Sequence, residues 1–139
     1  MRSGHHSSAA SLEAMSEPLS PCPRFPLSCA CSRSDAPDQQ RVEPLAVSGN
    51  PRAAFARLQR LVAELPRTVV VTATDTYLHA ECRSPRGYVD DLECRLCTVG
   101  RLIHVRSASR IGLLWDMGVN RQRLETLRNR LQNWAGEAP

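Results

Sequence analysis

The stretch Arg101-Leu-Ile-His-Val-Arg-Ser-Ala-Ser-Arg-Ile-Gly112, running on to Asp116-Met-Gly-Val-Asn-Arg-Gln-Arg-Leu-Glu125, decides how this chain is read. Ile103 and Val105 alternate with His104 and Arg106, the period-2 pattern of a strand with one apolar and one polar face. The period then changes to that of a helix, because Leu124, Leu127, Leu131 and Trp134 fall on one stripe. Gly118 supplies a turn before it, Asn120 is the expected N-cap, and Val119 with Leu124 is placed for a hydrophobic staple.

Working back toward the N-terminus, Val89 to Leu96 also alternates, with Leu92, Cys94 and Leu96 inward and Asp91, Glu93 and Arg95 outward. Ser84-Pro-Arg-Gly87 turns the chain. Before it Leu78, Ala80 and Cys82 face inward, while Tyr77, His79, Glu81 and Arg83 face outward. Thr68 to Thr74 is continuous and β-branched, which predicts a strand covered at least partly on both faces. Asn50 and Pro51 form a helix start, and Phe55, Leu58, Val62 and Leu65 make one apolar stripe that Pro66 ends. Val42 to Val47, with its proline, suits an edge strand. These elements predict an α+β fold, a two-layer sandwich of an antiparallel meander sheet of four to five strands with two helices packed on one face.

A length of 139 residues allows one domain. Residues 1–41 are rich in Ser, Pro and Ala without hydrophobic period, and are expected to be disordered or loosely packed. The domain is then expected over 42–134, with 135–139 as a tail. Met15 is an alternative start, and His5 and His6 are expected to be solvated. No run approaches the roughly 18 apolar residues that a membrane span requires. A soluble, cytoplasmic protein is therefore expected, or a plastid or other organellar one if the N-terminal segment is a transit peptide, a reading that Glu13 and Glu17 interrupt.

All 18 basic residues are Arg, a bias that a GC-rich genome explains more simply than selection for guanidinium chemistry. Over 42–134, 14 Arg stand against 9 Asp plus Glu; this modest excess, with two each of Phe, Tyr and Trp, makes nucleic acid a poor partner. The six cysteines, at 22, 29, 31, 82, 94 and 97, follow no apolar signal region, so reduced thiols are expected. Cys29-x-Cys31 with Cys94-x-x-Cys97 makes a poor zinc set, since one pair lies in the N-terminal segment and the other at a strand end.

Arg106-Ser-Ala-Ser-Arg110 followed by Gly118-Val-Asn-Arg121 resembles the bacterial and plastid family catalogued as domain of unknown function 1499. Asp90-Asp-Leu-Glu93 resembles the acidic strand of that family, Val42-Glu-Pro-Leu45 is a further match, and Cys29 with Ser32 resembles its Cys-Val-Ser-Ser segment. The likeness runs from about Cys29 to Leu131. Two departures are Cys31 in place of a serine and Leu113-Leu-Trp115, which lengthens the Gly-to-Asp spacing by a residue. The resemblance implies fold kinship and brings no activity with it.

The distinctive chemistry is the polar face of the meander. Pairing Arg83 with Val89 and Leu96 with Arg101 generates two rows, His79-Glu93-His104 and Glu81-Asp91-Arg106. The first has the composition of a two-histidine, one-carboxylate metal site. The second is an arginine held by acids, whose carboxylates would repel without it. Set against both is a solvated face of opposite charges, each pair contributing about 0.2 to 1 kcal/mol. Ser107 and Ser109 lack a nucleophile-elbow sequence and no phosphate-binding glycine loop is present, so no catalytic residue and no cofactor is assigned.

Three functions follow as expectations. The favoured one is a non-catalytic binding module whose arginine-rich end, comprising Arg106, Ser107, Ser109, Arg110, Asn120, Arg121 and Arg123, receives a small anion or an acidic protein partner. A structural charge network of Glu81, Asp90, Asp91, Glu93 and Asp116 is expected to support it. The alternatives are a metal-dependent enzyme using His79, Glu93 and His104, and a structural accessory domain.

Overall fold

A computed structural model of the chain describes residues 19–25, 27–111 and 116–135. His5, His6, Met15, the rest of the leader, the Leu113-Leu-Trp115 departure and the last four residues of the expected tail lie outside the described residues. Strands β1 (Cys29–Cys31) and β2 (Leu45–Ala46) are followed by helix α1 (Pro51–Ala63). Strands β3 (Thr68–Ala73), β4 (Tyr77–Arg83), β5 (Val89–Cys97) and β6 (Leu102–Ser109) come next, and helix α2 (Val119–Ala135) closes the fold.

The sheet is antiparallel, in the order β1-β6-β5-β4-β3, with β2 beside β1 on the outer edge of β6. Consecutive strands from β3 to β6 pair with one another, as short turns require. Both helices cover the same face. Phe55, Leu58 and Val62 of α1 and Leu124, Leu127 and Leu131 of α2 share one core with Leu78, Ala80, Leu92, Cys94, Ile103 and Val105. The α+β expectation therefore holds, with a sheet one strand wider than the meander predicted.

Local chemistry starts α1 as expected, since Asn50 accepts a hydrogen bond from Ala53 N at 2.9 Å and Pro51 occupies the first turn. At α2 the cap differs. Asp116 accepts from Gly118 N and Asn120 N at 2.9 and 3.1 Å, while Asn120, 1% exposed, lies inside the helix and turns to the core. A carboxylate two residues before a positive-φ glycine meets these orphan donors better than an asparagine already in the helix.

Three further expectations change. Packing does not begin at Val42: Cys29, Ala30 and Cys31 are all buried, on the outer edge of β6. The described residues of 19–41 also wrap onto the helix-free face, where Cys22, Cys29, Cys31, Ala36 and Ala108 form a second small core. The cysteines are not all reduced thiols, because Cys22 and Cys29 form a disulfide with Cα atoms 5.7 Å apart. β3 is not covered on both faces: it is the edge of the sheet, and Val69 and Val71 are exposed around a bulge between Val70 and Thr72.

Candidate functional site

Two polar clusters lie on opposite faces of β6. On the helix side the alternation that buries Ile103 and Val105 also carries Ser107 and Ser109 inward, where the apolar core ends beneath the start of α2. There Arg123 donates through Nη1 to Asp90 Oδ2 at 3.0 Å, Ser107 Oγ at 2.9 Å and Asn120 Oδ1 at 2.9 Å. Ser107 Oγ donates to Asn120 Oδ1 at 2.6 Å, Ser109 Oγ donates to Asp90 Oδ1 at 3.0 Å, and Asn120 Nδ2 donates to Ser28 O and Asp116 Oδ2. This cluster satisfies itself.

Four of the seven expected anion-binding residues, Ser107, Ser109, Asn120 and Arg123, are therefore a clasp joining α2 to β5 and β6. Arg121 donates to Gln39 O at 2.8 Å beside a cavity of about 290 Å³ that also contains Asp116. The N-terminus of α2 thus already holds a carboxylate, which leaves the one expected there for a ligand without a seat.

On the open face the β4–β5 register is the expected one, with Arg83 opposite Val89, Glu81 opposite Asp91 and His79 opposite Glu93. The β5–β6 register is shifted by two residues: Leu96 pairs with Ile103, Glu93 with Arg106 and Arg95 with His104. The rows are consequently His79-Glu93-Arg106 and Tyr77-Arg95-His104. His104 leaves the expected metal row and shares a hydrogen bond of 3.3 Å with Ser32 Oγ through Nδ1, while His79 Nε2 lies 2.8 Å from Asp91 Oδ1. The two imidazoles do not converge over Glu93, and no group of three His, Cys, Asp or Glu among the described residues is placed to hold a metal ion. The zinc set fails as well, since Cys29 is in a disulfide and Cys94 faces the core, three residues away from half-buried Cys97.

The acid pair Glu81 and Asp91 is bridged by Arg110 rather than Arg106. Its guanidinium donates to Asp91 at 2.7 and 3.1 Å and to Glu81 at 2.9 Å. Hydrogen bonding to Arg110, and then to His79, holds the Asp91 carboxyl below the usual carboxylate range. Nearby, the Tyr77 hydroxyl donates to Glu93 Oε2; burial and then that carboxylate push the phenol up, so it remains a donor at neutral pH.

Arg106 is less completely partnered. Its Nη1 is 3.7 Å from Glu93 Oε1, its Nη2 donates to Pro21 O at 3.3 Å, and its Nε is buried with no acceptor. Arg95 on the neighbouring strand stacks over the Tyr77 ring at 4.6 Å, and its Nε is likewise buried and unbonded. None of the ion pairs among the described residues involves Arg95. The two arginines are diagonal neighbours across β5 and β6, a relation that puts residues about 7 to 8 Å apart, within reach of long side chains. Arg95 was legible only as an outward residue, since its place beside Arg106 depends on the register.

A second concavity, of about 470 Å³, lies between His104 and the Ser32–Asp35 and Arg41–Pro44 segments. Its arginines are already occupied, Arg33 by Asp35 and Arg41 by Asp38.

The family model described as Protein of unknown function (DUF1499) matches residues 18–131. The chain belongs to this family. The DUF1499 match begins before β1 and ends within α2, so it takes in the 19–41 wrap and both polar clusters. No curated protein and no solved structure matches the chain. No helix among the described residues is long and apolar enough to cross a membrane.

Proposed function

We propose that this DUF1499 chain is a non-catalytic binding module that receives an oxyanion, a carboxylate or phosphate group of a ligand or acidic partner, on its open sheet face between Arg95 and Arg106. One observation carries the reading: two neighbouring guanidinium groups each keep a buried Nε–H without an acceptor. A buried donor left unbonded costs about 1 to 3 kcal/mol, more when charged, so a pair of them on one face calls for a partner. Arg95, Arg106 and Glu93 leave one formal positive charge at this spot, and the planar forks of two arginines suit an oxyanion. Tyr77 and Glu93 hold the two arginines from either side.

The site moves the expected anion seat from the start of α2 to the other face of β6, and Arg106 is the residue common to both. Thermal unfolding of the full chain with inorganic phosphate, at ionic strength matched by chloride, tests it. The midpoint is expected to rise with phosphate, and the rise is expected to vanish in Arg95→Gln/Arg106→Gln. No rise, or an equal rise in the double variant, overturns the reading.

A further inference from the structure

We propose that the Cys22–Cys29 disulfide is a thiol-exchange site whose opening uncovers the oxyanion seat, an inference that rests on the function proposed above. Residues 19–25 cross the open face as a strap. Pro21 O takes the donor of Arg106 Nη2 at 3.3 Å, which places a carbonyl on the guanidinium that would otherwise face an anion. Buried Leu19 and a few further ties hold the strap down. Gln40 Nε2 donates to Pro23 O at 2.7 Å, Arg33 Nη1 donates to Leu19 O at 2.9 Å, and Cys22 is bonded to Cys29 in β1. The disulfide is a covalent cross-link, and it joins the residue next to Pro21 to the strand that flanks Arg106.

The exchange balances with a dithiol as reductant. Its thiolate attacks one sulfur of the Cys22–Cys29 bond, a mixed disulfide forms, and the second thiol displaces the remaining cysteine. The dithiol ends as a cyclic disulfide, and Cys22 and Cys29 each gain one electron and one proton. Cys22 then rests on the small cluster of Cys29, Cys31, Ala36 and Ala108 by apolar contact alone. Released strap frees Arg106 Nη2 and opens the Arg106 side of the seat to solvent and anion. A disulfide of this kind persists in an oxidising compartment and opens in a reducing cytoplasm, so the strap reports the redox state of its surroundings to the binding face.

The full chain is compared oxidised, reduced with dithiothreitol, and as Cys22→Ser, by calorimetric titration with inorganic phosphate and by the rate of tryptic cleavage after the exposed Arg24. Reduced and Cys22→Ser protein are expected to bind phosphate about tenfold more tightly than oxidised protein, the scale of one charge-assisted hydrogen bond. Both are expected to be cut faster at Arg24, and dithiothreitol is expected to change nothing in Cys22→Ser. Equal phosphate affinity in all three overturns the gating and leaves the anion seat standing. Faster cleavage with no phosphate binding in any form overturns the anion seat itself, and with it the gate. Unchanged cleavage on reduction shows that the strap stays down, and overturns the proposal whatever the affinity.

Discussion

Arg123 on α2 and Asp90 on β5 face each other at 3.0 Å with side chains only 14% and 8% exposed, so the helix and the sheet are joined by an ion pair largely withdrawn from water. Breaking such a pair from one side leaves an uncompensated buried charge, which costs on the order of 3 to 5 kcal/mol. Arg123→Ala is expected to lose that much stability in urea unfolding. A double-mutant cycle with Asp90→Ala should give strong coupling, because Ser107, Ser109 and Asn120 share the same cluster.

Arg110 bridges Glu81 and Asp91 from an exposed position, so its loss should destabilise the chain far less than loss of Arg123. Its electrostatic signature is larger. Because Arg110 depresses the Asp91 carboxyl, Asp91 contributes stability that is present at neutral pH and is lost as the pH falls through its folded-state value. In Arg110→Ala the Asp91 titration, followed by carboxyl carbon NMR, is expected to move upward, with acid unfolding setting in at higher pH.

Burial lowers the pKa of His104, so the folded chain resists a proton that the unfolded chain accepts. Between the unfolded value of about 6.5 and the lower folded one, the unfolded state binds more protons, so stability is lost as the pH falls. The urea midpoint should therefore decline below about pH 6.5, and His104→Gln should flatten that decline. An unchanged slope in the variant would assign it to other groups.

The Cys22–Cys29 bond closes a short loop, with a sequence separation of 7. Loop-closure entropy for such a ring amounts to about 2.5 kcal/mol. Cys22→Ser is expected to lose about this much relative to oxidised parent and to match the parent reduced with dithiothreitol. A variant as stable as oxidised parent would mean that the strap unfolds independently of the domain.

The class of fold was written in periodicity because the signals are local. Phe55, Leu58 and Val62 recur at helical spacing, Leu92, Cys94 and Leu96 at strand spacing, and Asn50 and Gly87 mark ends that need few partners. Even the β4–β5 register was legible, since the Ser84 turn closes on itself through Ser84 N to Tyr88 O and Gly87 N to Ser84 O. The β5–β6 register was not. A slip of two residues keeps every side chain on its own face, so alternation is blind to it, and the difference between His104 and Arg106 opposite Glu93 is decided by the loop in which Arg101 takes a positive φ.

Membership of the two faces was thus determined by the sequence alone: inward Ile103 and Val105, outward His104 and Arg106. Which charges meet was decided only by tertiary structure. Asp116 rather than Asn120 caps α2, Arg110 rather than Arg106 bridges the acids, and β1, three residues without a period, exists because β6 offers it a free edge. The disulfide strap belongs to the same class, since pairing among cysteines depends on where distant segments come to rest. Alternation is a property of one strand and can be read from one strand; ion pairs, edges and cross-links belong to two segments at once, and their distances are set when the whole core packs.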